Sequence, residues 1–178
     1  MHKNAEELFN KYALDLFQPG MEVFEIGPER QVYTKRNLDN KLGINNYKYF
    51  YTDLFKEQMT KIVNDHWNIR STFIDTPDMP NFIPMIDENT IECDDNKFDI
   101  VFATNVIEHV RMPWIWLKEV VRITKPGGYV IMECPGITTP YHEDPIDCWR
   151  IWPEGFNSLF NYVGLEDIRG TWEHVVPE

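Results

Sequence analysis

Residues 98–134, FDIVFATNVIEHVRMPWIWLKEVVRITKPGGYVIMEC, constrain the fold more than any other part of the chain. Residues 98–103 are an apolar run with β-branched members, the pattern of a strand buried on both faces. A polar corner follows, with Thr104, Asn105, Glu108 and His109. Pro113 opens a helical segment, where its missing N–H costs little because first-turn N–H groups have no intrahelical acceptor. Leu117, Val120, Val121 and Thr124 recur at helical spacing and predict one buried face, with Lys118, Glu119 and Arg122 mostly on the outer one. Pro126-Gly127-Gly128 ends the helix, and residues 129–134 give a second apolar strand. Strand, helix and strand in so short a space predict a βαβ unit and a parallel sheet. Ligands of such sheets sit beyond the carboxyl ends of the strands. The polar corner therefore faces one side of a crevice, and Pro135 and its successors another.

The rest of the chain supplies elements for one α/β domain, residues 1–178. It divides into an N-terminal helix (1–20), a core (21–134) and a segment of loop, helix and last strand (135–178). Asn4 and Glu7 make an N-cap pattern. Ala5, Leu8, Phe9, Tyr12, Ala13 and Leu16 then keep helical spacing up to Pro19-Gly20. Residues 21–26 read as the first strand, with Gly27-Pro28 at its tip and Glu25 inside it. Gly-x-Gly-x-x-Gly is absent, so a pyrophosphate clasped by a glycine-rich turn is disfavoured. Residues 47–51 alternate aromatic and polar side chains and give a strand candidate ending at Asp53, with a helix up to about Trp67. Residues 71–74, before Asp75, and 82–86, before Asp87, are further strand candidates. Pro80 and Pro84 make the latter an edge strand. Pro153 and Glu154 open a helix with Phe156, Leu159, Phe160 and Val163 on one face, and residues 165–174 give one last strand.

Charge and cysteine usage narrow the function. The chain has 17 basic and 29 acidic residues, a formal charge of −12, with no long basic run. Nucleic acid and anionic membrane surfaces both need a cationic face, so neither is an expected partner. A small molecule fits better. Cys93, Cys134 and Cys148 are widely spaced with no CxxC, which suits a reducing cytoplasm rather than a disulfide framework or a zinc site. No signal-like or membrane-spanning apolar run is present, so a soluble cytoplasmic protein is expected.

The order FDIVFATNVIEHV…LKEVVRITKPGGYVIMECP resembles the core of S-adenosylmethionine-dependent methyltransferases of the Rossmann-like class. YHEDPIDCWRIWPEGF downstream resembles the small-molecule, type 11/23-like subgroup, and VFEIGP and TFIDTPDMPNFIPMIDENTIECDDNKFDIV extend the likeness upstream. The resemblance implies a mostly parallel sheet flanked by helices, and S-adenosyl-L-methionine as cofactor. It places Glu25, Gly27 and Pro28 at the methionine end of the cofactor, and Asp75 on the ribose hydroxyls. An ionised carboxylate is acceptor-only and can take both hydroxyls. Asp87, Asn89, Thr90 and Ile91 then flank the adenine, while Thr104 and Asn105 lie near the sulfonium; family members carry the Glu108-His109 pair whatever their acceptor, which implies a structural or cofactor-side role for His109. Asp53 in YFYTDLF is a rival for the ribose acid. Asp75 ranks first because Asp75, Asp87 and Asp99 keep the short intervals of the family.

The loop at residues 135–150 faces the acceptor. His142 is the expected base, since a neutral imidazole exists near pH 7. An ordering role for its ring is the competing reading. Tyr141, Glu143, Asp147, Trp149 and Arg150 are expected to bind substrate, with an Arg150 ion pair to Asp144 or Asp147 as the alternative. Trp114 and Trp116 are expected to pack or cover the helix. A metal site built from His109, His142 and nearby acids has no ligand spacing to support it, so no metal is expected. The functions implied are O-methylation of a sugar or related metabolite, or a catalytically silent, cofactor-binding relative. The short C-terminus leaves no room for the family's last antiparallel strand, and an exposed sheet edge would favour a homodimer.

Overall fold

A computed structural model describes residues 2–28, 33–53, 81–142 and 146–170. The strand expected at 71–74, Asp75, Glu143, Asp144 and the helix running to Trp67 lie outside the described residues. The strands are β1 (Glu22–Ile26), β2 (Lys48–Thr52), β3 (Met85–Asp87), β4 (Thr90–Ile91), β5 (Phe98–Thr104) and β6 (Thr124–Glu133). β2, β1, β5 and β6 form one parallel sheet in that spatial order, and β3 and β4 form a separate antiparallel ribbon. The helices are α1 (His2–Leu8), α2 (Tyr33–Leu42), α3 (Pro113–Ile123) and α4 (Pro153–Tyr162).

Alternation along β1 and β5 builds two cores. Val23, Ile100 and Phe102 pack with Ala5, Phe9, Ala13, Phe17, Leu38 and Leu42 on the α1–α2 face. Phe24, Ile26, Val101 and Ala103 pack with Trp116, Leu117, Val120 and Ile123 on the other face. Phe156, Leu159, Phe160 and Val163 of the α4 segment cover that second core. Both faces of the sheet are thus covered by helices, the condition for apolar runs like residues 98–103.

Several elements differ from expectation for physical reasons. α1 is already formed at His2, so Asn4 lies inside it rather than capping it. α1 continues as a wide π turn at Phe9–Ala13 and a tight turn at Leu14–Leu16. The wide turn keeps Ala5, Phe9 and Ala13, four residues apart, on one buried face. The seam of α3 is Pro113, Trp116, Leu117, Val120 and Ile123, with Val121 left half-buried. Glu119 and Arg122 are engaged rather than solvated. Arg122 donates to Glu119, to Asp95 and to the carbonyls of Ile91 and Cys93. Glu119 accepts the Ile91 N–H at 2.7 Å, which fastens the β3–β4 ribbon to α3.

Pro126, Gly127 and Gly128 lie within β6, not before it, at a register shift against β5. A Cβ at Gly128 would meet the Asp99 carbonyl at 2.7 Å, so the strands close only around glycine. Phe82 makes a single parallel bridge to Tyr51, and the chain then turns away into β3. Residues 165–170 carry no strand. No described helix is long and apolar enough to cross a membrane.

Candidate active site

Because the four main strands are parallel, their carboxyl tips share one edge: Gly27-Pro28 after β1, Asp53 after β2, Asn105 after β5 and Cys134-Pro135 after β6. The Gly27 N–H donates to the Thr52 carbonyl at 2.8 Å, and the Asn105 N–H to that of Glu133 at 3.0 Å. Both tip residues have left-handed backbones, with φ of 66° at Gly27 and 56° at Asn105. A Cβ at Gly27 would meet Val106 Cγ2 at 2.7 Å, so β1 ends in a turn that only glycine fits beside β5.

β2 lies beside β1 in parallel register, so the acid at the tip of the second strand is Asp53. Spacing favours Asp75 instead, and that residue is outside the described part. Glu25 is a brace: its side chain is buried, the Thr34 hydroxyl lies 2.7 Å from both its oxygens, and the Tyr49 hydroxyl donates to Oε2. Burial pushes its carboxyl up to about 7. Glu25 thus joins β1 to β2 and α2 beneath the tips, and would act on a ligand through them. Among the adenine-side candidates, the Asn89 N–H donates to Asp87 Oδ1 at 2.8 Å, and Asn89 Oδ1 is buried without a partner. Ile91 is buried in the core, and Thr90 pairs with Asp87. Arg111 holds Glu88 through Nε and its backbone N–H, both at 2.8 Å, and so clamps the ribbon from the β5 side.

A second cluster sits past Asn105. A 3-10 turn, Ile107–His109, buries Glu108 completely, and neither of its carboxylate oxygens has a hydrogen-bond partner. Burial pushes that carboxyl up to about 8. His109 Nε2 lies 3.7 Å and His142 Nε2 3.8 Å from Glu108 Oε1. The two rings meet edge to face, with centroids 5.1 Å apart. His109, expected on the cofactor side, and His142, expected on the acceptor side, therefore belong to one centre. Glu108 was missed as a site residue. Its apolar neighbours Val106, Ile107 and Val110 were the one local hint that it turns inward.

The loop is held over this centre by backbone bonds. Cys148 N–H donates to the Glu108 carbonyl at 2.7 Å, Trp149 Nε1 to the Val110 carbonyl at 2.7 Å, and His109 Nδ1 to the Ile146 carbonyl. Asp147, with only 2% of its side chain exposed, forms a bidentate pair with Arg150 and accepts the His142 N–H at 2.8 Å. Burial pushes Asp147 up, but Arg150 and the His142 amide outweigh it and hold the carboxyl below its ordinary range. Arg150 and Asp147 are thus matched to each other, the alternative reading to substrate binding. Tyr141 is largely exposed, and Trp149 stacks edge to face on Trp114. Trp116 is fully buried.

Strand tips bearing a tight glycine turn and an acid, next to a helix-covered parallel sheet, define a Rossmann-like nucleoside-cofactor fold. A family model described as "Methyltransferase domain" matches residues 41–132, just over half of the 178-residue chain. The chain belongs to the methyltransferase domain family, whose cofactor is S-adenosylmethionine. An uncharacterised methyltransferase of Mycobacteroides abscessus is 47% identical over 38 residues, which take in 21% of this chain and only 15% of that relative's length. Among solved structures, the complex between the Haloferax volcanii Trm112 methyltransferase activator and its candidate methyltransferase aligns at a TM-score of 0.62, with 22% identity, over 91% of this chain and 69% of the other. A SAM-dependent methyltransferase from Aquifex aeolicus aligns at 0.56, with 19% identity, over 90% and 79%. At these identities the structures show a shared fold.

Proposed function

We propose that this protein transfers a methyl group from S-adenosylmethionine to a hydroxyl oxygen of a small molecule, a sugar or related metabolite. The observation that carries the reading is the convergence of Gly27, Asp53 and Asn105 on one sheet edge. Three features suit the cofactor. The Gly27 turn has no room for a side chain and offers bare backbone. Asp53 stands at the tip of the strand beside it, and a carboxylate there accepts from vicinal ribose hydroxyls. Asn89 Oδ1, buried and unpaired, is an acceptor for an amino group such as that of adenine. Thr104 and Asn105 lie towards the sulfonium, and Glu25 holds β1, β2 and α2 in place below.

When bound, S-adenosylmethionine supplies an electrophilic methyl carbon, which bonds the acceptor oxygen as the C–S electron pair stays on sulfur. The chain's own residues must place that oxygen in line and remove its proton. We assign the second task to the centre of Glu108, His109 and His142, with His142 as its contribution from the acceptor-side loop. Tyr141 and Trp149, both partly exposed on that loop, offer apolar and stacking surface to a sugar-like acceptor. A formal charge of −12 with no long basic run in the sequence supports a small acceptor over nucleic acid.

Calorimetric titration with S-adenosylmethionine and S-adenosylhomocysteine tests the reading. Saturable binding of both is expected, and binding of neither would end it.

A further inference from the structure

We propose that Glu108, His109 and His142 form a binding site for one first-row divalent metal cation. The three side chains bring one carboxylate oxygen and two imidazole nitrogens within 4.8 Å of one another. The decisive feature is Glu108. A side chain with no exposed surface and two unpartnered oxygens is costly to bury unless something satisfies it. Nε2 of His109 lies 3.7 Å and Nε2 of His142 3.8 Å from its Oε1.

Both rings are oriented through their far nitrogens. His109 Nδ1 faces the Ile146 carbonyl, which can only accept, so the proton sits on Nδ1 and the lone pair on Nε2. His142 Nδ1 lies 3.3 Å from Asp147 Oδ2 and 3.4 Å from both the Pro140 carbonyl and Arg150 Nη2, so this ring is held in place by its far nitrogen while its Nε2 points to Glu108. Asp147 is itself fixed by Arg150. A histidine whose far nitrogen is oriented by a carbonyl or carboxylate is the usual outer support of a metal ligand. Two imidazoles and one carboxylate suit zinc, iron(II) or cobalt(II), and leave at least one coordination position for an oxygen of another molecule.

Size agrees. Ligand atoms around a tetrahedral ion with bonds of about 2.1 Å stand about 3.4 Å apart. The observed 3.7 and 3.8 Å to Glu108 Oε1 exceed this by a few tenths of an ångström, and the two imidazoles, within 4.8 Å of each other, would draw together on binding. Metal binding itself does not depend on the methyl-transfer reading. If that reading holds, the bound cation would occupy the His142 lone pair and take over its task, polarising an acceptor hydroxyl so that the proton leaves to solvent.

Cobalt(II) is the probe. The full chain, stripped with chelator, is titrated with Co2+ while visible absorption and heat are recorded. Expected is one saturating equivalent, with a d–d spectrum of nitrogen and oxygen ligation. Glu108→Gln and His142→Ala should each weaken Co2+ at least tenfold, with far-ultraviolet circular dichroism confirming that they fold. No saturable binding by the wild-type chain, or equal affinity in folded variants, overturns the site. Should the variants not fold, Cu2+ is bound to the wild-type chain, and pulsed paramagnetic resonance must show coupling to two imidazoles. Its absence also overturns the site. Titration of the same samples with S-adenosylhomocysteine reads the cofactor separately, so either reading can fail alone.

Discussion

The hydroxyl of Thr34 lies 2.7 Å from both carboxylate oxygens of Glu25, deep between α2 and β1. Together with Tyr49 it meets an acid in the strand beneath the cofactor edge, yet burial still raises the carboxyl to about 7 from 4.5. The folded protein therefore holds a proton that the unfolded chain releases between those pH values. Stability from this group is fully present below about pH 4.5 and lost as pH rises through about 7. The loss is of order 3 kcal/mol, at 1.36 kcal/mol per unit. Urea unfolding at pH 5 and pH 8 measures it. Glu25→Gln, which cannot ionise, should lose less stability between those two points by about that amount. An equal loss in both proteins would show that Glu25 does not ionise in this range.

Asp53 carries the ribose assignment. Asp53→Ala should weaken S-adenosylhomocysteine by roughly 1–3 kcal/mol, the range for a hydrogen bond to a charged group. Asp75→Ala should leave affinity within about threefold, below roughly 0.7 kcal/mol. Calorimetry on the two variants decides between the acids. The reverse order would return the ribose to Asp75.

The sequence made the βαβ unit legible because β5 and β6 are read by their apolar runs and α3 by its proline start. α2 was not legible. In YTKRNLDNKL, Leu38 and Leu42 are the apolar side chains that face the core, and the rest reads as a solvated loop. The place of Asp53 was not legible for a related reason: in KYFYT three aromatic residues run in succession over both faces, and nothing local says that the strand lies next to β1. The Glu108–His142 centre has no sequence spacing at all. A loop held by backbone carbonyls of residues 108 and 110 brings its members together, and such contacts leave no residue signature. Arg122 misled in the opposite sense, since a charged side chain at an outer helical position closes a ribbon onto α3.

Gly27→Ala tests the tip of β1. The left-handed φ of 66° is costly for alanine, and the added Cβ would press on Val106 Cγ2 at 2.7 Å. A loss of about 1–3 kcal/mol in chemical denaturation is expected. Gly27→Ala with Val106→Ala should recover the contact but not the backbone cost, so the double variant should remain less stable than Val106→Ala alone. Cofactor affinity should fall in Gly27→Ala with or without the second change, because the turn itself would shift.

The Asp147–Arg150 pair provides the last test, because it separates ordering of the loop from acceptor binding. Arg150→Ala would leave Asp147, whose side chain is 2% exposed, as a nearly enclosed carboxylate beside the His142 amide at 2.8 Å and His142 Nδ1 at 3.3 Å. Arg150 also donates to the carbonyls of Trp149 at 2.8 Å and Pro140 at 3.2 Å, so its removal loosens both ends of the loop. A cost of roughly 2–3 kcal/mol is expected, less than for a fully enclosed pair because Arg150 keeps some contact with water. Asp147→Asn with Arg150→Ala should cost less than the sum of the single changes, since the uncompensated charge is gone. Limited proteolysis should cut the Arg150→Ala loop faster, while S-adenosylhomocysteine affinity stays near wild type. If instead the single variant keeps full stability and loses only turnover, Arg150 contacts the acceptor rather than the loop.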